Sequence, residues 1–288
     1  MRVLVTGAGG QLGRSLRVTC GNSCDFLFTD IVAGPETLQL DITDLDAVRN
    51  FVVQNDVDVI VNCAAYTDVN KAETDVEKCT LINAEAPGIL ASVMQERGGQ
   101  LVHISTDYVF DGSGSVPYTE DMPCAPTSVY GLTKFQGEEA VKAAGCRYII
   151  IRTSWLYSEY GRNFVKTMLD LTASKPEIKV VADQFGTPTY ALDLANLICT
   201  ALASEGNEGI YHYSNEGSCS WHEFAKTIAE LSGHTSCTVN PCTTEEYPTP
   251  VKRPAYSVLD KSKVKETFGI DVPQWEESLI KCLKNLSE

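Results

Sequence analysis

Short apolar runs recur along the first half of the chain, with helical spacing filling the intervals between them. Val3-Leu4-Val5 predicts a strand and Gln11 to Val18 a helix. Phe26-Leu27-Phe28 leads to Asp30, and Leu38-Gln39-Leu40 leads to Asp41. Thr43-Asp44-Leu45-Asp46 has the spacing of a capping box and opens a helix with Leu45, Val48 and Val52 on its apolar face. There follow a strand from Val57 to Val61, a helix through Ile82 to Met94, a strand from Leu101 to Ile104, a helix from Ser128 to Ala144 and a strand from Tyr148 to Ile151. Strands without polar alternation, separated by helices, predict a parallel sheet covered on both faces. This is a doubly wound α/β fold, in which ligands sit outside the carboxyl ends of the strands.

Beyond Arg152 the rhythm loosens. Phe164 to Leu171 and Leu192 to Leu202 read as helices, and Ser220-Trp221-His222-Glu223 is a capping box for a helix ending at Leu231. Prolines at 241, 248, 250, 254 and 273 punctuate the tail. The chain thus divides into a sheet-forming domain over 1–152 and a smaller, irregular cap over 153–288, with segments of the cap returning to the sheet. No internal repeat or low-complexity segment is visible.

The balance of 23 Lys+Arg against 38 Asp+Glu gives a net charge of −15. Such a surface repels nucleic acid, so an anionic ligand must meet a local basic cluster. The first strand gives way to glycine after four residues, too soon for a signal peptide, and the longest apolar runs are strand-sized. Both point to a cytoplasmic protein without a membrane span. The eleven cysteines are scattered without CxxC pairs, which predicts reduced, mostly buried thiols and no metal site.

Gly7-Ala8-Gly9-Gly10-Gln11-Leu12-Gly13 follows the first strand and opens the first helix. Glycine there permits positive φ, close approach of a diphosphate and tight helix–strand packing, so Gly7, Gly10, Gln11, Leu12 and Gly13 are candidate dinucleotide contacts. Asp30, ending the second strand, is placed to accept from the adenosine ribose hydroxyls. A carboxylate there repels a 2′-phosphate and favours NADH over NADPH, although Arg14 could offset the repulsion. Asp41 and Ile42 could border the adenine, and Ala64, Ala65 and Tyr66 could line the dinucleotide.

Tyr130 and Lys134 have Y-x-x-x-K spacing on a helix, so phenol and ammonium share a face. The strand that ends in Thr106 supplies a hydroxyl. Bringing a phenol from about pKa 10 to near 7 takes roughly 4 kcal/mol. An ammonium about 4 Å away at an effective dielectric of about 20 supplies roughly that amount.

Glycine loop, Asp30, Thr106, Tyr130 and Lys134 together resemble the extended short-chain dehydrogenase/reductase family, with its Rossmann-type sheet. The runs His103-Ile104-Ser105-Thr106-Asp107-Tyr108-Val109-Phe110-Asp111-Gly112, Thr153-Ser154-Trp155-Leu156-Tyr157, Asp183-Gln184-Phe185-Gly186-Thr187-Pro188-Thr189 and Arg253-Pro254-Ala255-Tyr256-Ser257 extend the likeness over essentially the whole chain. They resemble the branch that reduces the C4 ketone of dTDP-4-dehydro-6-deoxy-L-mannose with NADH or NADPH.

The resemblance implies that Tyr130 protonates the C4 oxygen and that Lys134 holds the nicotinamide ribose and depresses the Tyr130 pKa. It implies further that Thr106 polarises the ketone, that Asp107 hydrogen-bonds the sugar, and that Trp155 packs against its ring. Asn163 and Arg253 are candidates for the substrate diphosphate, the latter because a planar guanidinium suits phosphate. Asn83 matches the family's helix asparagine, for which a purely structural role is at least as strong a reading.

Some family members dimerise through magnesium held by glutamates. The corresponding positions here fall at Ser15 and near Leu192, so no such metal is expected, and monomer and homodimer both remain open. Two alternatives remain. One is another keto-deoxysugar reductase or epimerase with the same residues. The other is a non-catalytic regulatory subunit resembling the beta subunit of methionine adenosyltransferase.

Overall fold

A run of residues buried on both faces sets the architecture. Val3, Leu4, Val5, Ile60, Val61, Leu101 and Val102 are all at most 1% exposed, as strands between two helical layers must be. The structure, a computed structural model, describes residues 1–19, 24–204 and 206–287. The first half alternates β1 (Arg2–Thr6), α1 (Gln11–Thr19), β2 (Asp25–Asp30), β3 (Leu38–Gln39), α2 (Leu45–Gln54), β4 (Val59–Asn62), α3 (Val69–Ala72), α4 (Val76–Thr80), α5 (Ala86–Arg97), β5 (Gln100–Thr106), α6 (Val129–Ala144) and β6 (Arg147–Thr153).

The remainder is more broken. It runs β7 (Leu156–Tyr157), α7 (Phe164–Ser174), β8 (Glu177–Val181), β9 (Phe185–Gly186), β10 (Thr189–Tyr190), α8 (Ala191–Leu202), β11 (Gly209–His212), β12 (Cys219–Ser220), α9 (Trp221–Leu231), β13 (Thr238–Cys242), α10 (Ser262–Phe268) and α11 (Trp275–Ser287).

Among the described residues, seven strands form one sheet in the order β11-β6-β5-β4-β1-β2-β3. Every pairing in it is parallel. The order reverses between β1 and β4, and a crevice opens there at the carboxyl ends of the strands. This is the doubly wound, Rossmann-type sheet that the sequence predicts. Leu12 and Leu16 of α1 pack with Leu194, Ile198 and Leu202 of α8 on one face. Val48 and Val52 of α2 pack with Leu90 and Met94 of α5 on the other. A third core, with Val165, Phe224, Trp275 and Leu279, lies among α7, α9 and α11.

Several local expectations are met and several are corrected. Ser220 caps α9 and forms the reciprocal box with Glu223. The N-cap of α2, however, is Asp44, whose side chain accepts from the amides of Asp46 and Ala47. Thr43 instead donates to Asp41 at 2.7 Å. Leu45 is 39% exposed, so Val48 and Val52 alone carry the buried face. The helix through Ile82 to Met94 is interrupted by a π-helical turn at Leu81–Glu85. Within that turn the Asn83 side chain accepts from Tyr66 N at 2.8 Å and donates to Tyr66 O at 3.0 Å, tying the loop after β4 to the helix. Cys63, Cys79, Cys146 and several others are free thiols, but Cys199 is disulfide-bonded, against the expectation of reduced thiols throughout. Spacing along the chain does not report which cysteines meet in space.

α6 is locked to the sheet by ions taken out of water. Arg152 on β6 and Glu138 on α6 are 2% and 0% exposed, and Arg152 grips both carboxylate oxygens at 2.9 and 2.7 Å. Ser105 on β5 donates to the same carboxylate at 2.5 Å. Removing one partner of such a pair strands the other charge. Glu138→Ala is expected to lower stability in urea denaturation by about 3–5 kcal/mol, whereas a paired Glu138→Leu, Arg152→Met variant recovers most of the loss.

Candidate active site

A cleft of about 930 Å³ opens at the reversal point of the sheet, between the strand ends and the more broken second half of the chain. Its inner wall begins with the glycine turn. Gly7 has φ of 66°, and a Cβ there would lie 2.6 Å from Ala64 N, so only glycine lets the turn approach the chain leaving β4. A Cβ at Gly13 would fall 2.5 Å from Ala8 Cα, which explains how α1 starts so close to β1. Gly7, Gly10, Gln11 and Leu12 line the cleft, and α1 begins at its wall. That is the arrangement in which a helix end meets a diphosphate, and Gly10 has no side chain to obstruct it. Gly13 does its work behind the turn, in packing.

Asp30 lines the same wall, its carboxylate accepting from Gly9 N at 2.9 Å and Ile31 N at 2.8 Å. Asp41, Ile42, Ala64 and Ala65 also line the cleft. Tyr66 does not, contrary to expectation. Asn83 pins its backbone, and its phenol turns to Asp75 at 3.2 Å. Arg14 lies 5.7 Å from the Tyr160 ring centroid, and Arg17 is committed to Glu36 and Thr37.

On the opposite side Thr106, Asp107, Tyr130 and Lys134 share the cleft. Thr106 ends β5, its Oγ1 donating to Asp107 Oδ1 at 3.0 Å and accepting from Tyr108 N at 3.2 Å. Ser128 caps α6 through Gly131 N, which puts Tyr130 in the first turn and Lys134 one turn later on the same face. Lys134 donates to the Ile104 carbonyl at 2.5 Å. Burial pulls its ammonium down to about 8, against the attraction of Glu138 and the thiols of Cys79 and Cys63.

The Tyr130 phenol behaves differently from the expectation. Burial pushes it up, with Asp107 and Tyr108 adding to the rise and the Thr106 hydroxyl opposing it. The Lys134 ammonium meanwhile donates to the Ile104 carbonyl. A phenol held in its neutral form is a proton donor. Asp107 is 3% exposed, and its Oδ2 is buried without a hydrogen-bond partner. Burial raises its carboxyl to about 6, with Ser257, Thr106 and backbone amides opposing.

Trp155 holds a left-handed φ of 48° and stacks on Trp221 with ring centroids 3.5 Å apart. Both indoles line the cleft. Gly186 makes room, since a Cβ there would lie 2.6 Å from Trp155 Cε2. Arg253 lines the cleft and donates to Tyr108 OH and Asn70 Oδ1, both at 2.8 Å. Both partners are neutral, so its charge remains available to an anion. Asn163 reaches the cleft, but its amide is already engaged: Oδ1 caps α7, while Nδ2 donates to Gln11 Oε1 at 3.0 Å and Ser158 O at 2.7 Å. It braces the glycine turn.

Sequence reasoning missed Trp221, Lys78 and Arg162, which also line the cleft. Trp221 could have been noticed as the residue following a cap, yet nothing local says that it meets Trp155. Ser15 is buried in α1, and Leu192 packs in the third core. Among the described residues no group of three or more His, Cys, Asp or Glu side chains could hold a metal ion. No helix among them is long and apolar enough to cross a membrane.

A glycine turn at a sheet reversal, facing a Thr-Tyr-Lys group across one cleft, defines a Rossmann-type oxidoreductase of the extended short-chain dehydrogenase/reductase class. The family described as "RmlD substrate binding domain" matches residues 1–288, and the chain belongs to that family. It is 40% identical to the dTDP-4-dehydrorhamnose reductase of Burkholderia thailandensis, over 99% of both chains. It is 42% identical to a probable dTDP-4,6-dihydroxy-2-methyloxan-3-one 4-ketoreductase of Streptomyces antibioticus, over 97% of this chain and 93% of that one. Among solved structures, a dTDP-4-dehydrorhamnose reductase of Clostridium acetobutylicum superposes with a TM-score of 0.94 at 43% identity, covering both chains completely. That of Bacillus anthracis, solved in complex with NADP, gives 0.91 at 40% identity over 99% of each chain.

The raised Asp107 carboxyl carries a stability signature. The folded chain holds this proton more tightly than the unfolded chain, so stability falls as pH rises from about 4 through 6 and stays lower above. Asp107→Asn is expected to exceed the parent in urea stability by about 2–3 kcal/mol near pH 8 and to match it near pH 4. Equal pH dependence in the two proteins contradicts the burial argument.

Proposed function

We propose that this chain reduces the C4 ketone of dTDP-4-dehydro-6-deoxy-L-mannose to the alcohol of dTDP-L-rhamnose, with Tyr130 as proton donor. The observation that carries the reading is the meeting of Thr106, Asp107, Tyr130 and Lys134 on one cleft with the glycine turn. A reduced nicotinamide, when bound, supplies the hydride. Gly7, Gly10, Gln11, Leu12 and Asp30 line the wall that would hold the dinucleotide, and Lys134 would hold its nicotinamide ribose.

The chain's own part is placement and proton transfer. Thr106 orients the ketone oxygen toward the Tyr130 hydroxyl, and burial keeps that phenol protonated until negative charge grows on O4. The O–H bond of Tyr130 breaks as the new O4–H bond forms. Asp107 Oδ2 takes a hydroxyl of the sugar ring, which satisfies an otherwise orphaned acceptor. Trp155, backed by Trp221, gives the ring a flat apolar wall. Arg253 takes the substrate diphosphate; with the Asn163 amide already committed, that residue serves by bracing Gln11.

NADH is the preferred donor in this reading. Asp30 presents a carboxylate where a 2′-phosphate would lie, and Arg17 is engaged by Glu36 and Thr37. The charged nucleotide substrates fit a cytoplasmic setting.

Tyr130→Phe, assayed with the keto-sugar and each reduced cofactor, is expected to bind cofactor normally and lose about 10²–10⁴ in turnover. In the parent protein kcat/KM is expected to be higher with NADH than with NADPH. Near-normal turnover by Tyr130→Phe rejects the proton-donor assignment.

A further inference from the structure

Lys134 is 2% exposed, and among the described residues two groups lie within hydrogen-bonding reach of its Nζ: the Ile104 carbonyl at 2.5 Å and His103 Nε2 at 3.5 Å. The protonation of that imidazole follows from a chain of bonds whose far end has no choice. The backbone N–H of Ala64 donates to Asn62 Oδ1 at 3.2 Å, and the Thr6 hydroxyl donates to the same oxygen at 2.7 Å. A backbone amide can only donate, so this atom of the carboxamide is the oxygen. Asn62 Nδ2 is therefore the atom facing His103 Nδ1, 3.1 Å away. Nδ1 must accept, and the proton of the neutral ring sits on Nε2.

His103 is fully buried on β5, and burial together with the Lys134 charge holds it well below the usual histidine range, so the ring stays neutral. Its Nε2–H consequently points at Lys134 Nζ. An ammonium there sets two donors against each other. A neutral amine accepts from Nε2–H while still donating to Ile104.

We propose that His103 is a positioning residue for Lys134, presenting an N–H that makes the uncharged amine the better-bonded form and so loosens the ammonium proton. The proposal rests on the reading of Tyr130 and Lys134 as the reacting pair. The other groups facing Nζ work the opposite way: Glu138 on α6, Cys79 on α4 and Cys63 beyond β4 all favour the charge. His103 is the side chain that opposes them. A loosely held proton is what a spent Tyr130 phenolate requires. The tyrosine O–H bond re-forms as a lysine N–H bond breaks, and the amine left behind is received by His103 Nε2–H. Solvent then returns the proton to Lys134.

The test is the pH dependence of kcat/KM for keto-sugar reduction. In the parent protein activity is expected to fall as Lys134 loses its proton, near pH 8. His103→Gln offers the ammonium a carbonyl oxygen in place of an N–H, and the fall is expected to move up by about one pH unit. A uniform loss of rate at every pH, with the fall unmoved, marks His103 as merely structural and overturns the proposal. The parent protein alone supplies a second reading through its ¹⁵N imidazole spectra. These are expected to show His103 protonated on Nε2 and bare on Nδ1 from about pH 6 to 8; the opposite tautomer, or a cationic ring, overturns it. Failure of the underlying reading looks different. In that case Lys134→Met keeps parental turnover, whatever the state of His103.

Discussion

Glu138 and Arg152 form an ion pair almost without solvent, and the candidate chemistry hangs on it. α6 carries Tyr130, Lys134 and Glu138 at successive turns of one face, so clamping Glu138 to Arg152 and Ser105 sets where the other two point. Ser105 immediately precedes Thr106 on β5. One buried carboxylate thereby registers the helix that bears phenol and amine against the strand that bears the hydroxyl. Its burial is stabilising only while both partners are present, so the geometry is held firmly or not at all.

The same low-dielectric interior tunes the reacting groups. It keeps the Tyr130 phenol neutral and loosens the Lys134 proton, and it raises Asp107, whose second oxygen has no partner within the protein. The Lys134 and Asp107 shifts cost stability in the isolated chain near neutral pH. All three lie on the wall that would meet the keto-sugar, a pattern expected where groups are kept for chemistry rather than for folding.

What the sequence made legible was what rests on local spacing. The glycine turn, the four-residue step from Tyr130 to Lys134 and the Ser220 box each lie within one turn or one helix. Misread or missed features depended on distant partners. The orientation of Tyr66 is decided by Asn83, and the Asn163 amide is occupied by Gln11. Trp221 matters because Trp155 lies beneath it. The rise in the Tyr130 pKa was equally hidden: spacing sets phenol and amine on one face, but burial of the phenol, which pushes it up, comes from the surrounding elements. The choice of Asp44 over Thr43 as helix cap was a local competition that pattern alone could not rank.

The central claim is that a hydride and the Tyr130 proton meet at one carbonyl within this cleft. Its most direct test is to supply the keto-sugar with a limiting amount of nicotinamide carrying deuterium at the transferable position, then follow the label and the cofactor together. One equivalent of cofactor oxidised for each sugar reduced, with deuterium on sugar C4, is the predicted result. A sugar altered without net oxidation of the cofactor, or reduced without label at C4, contradicts it.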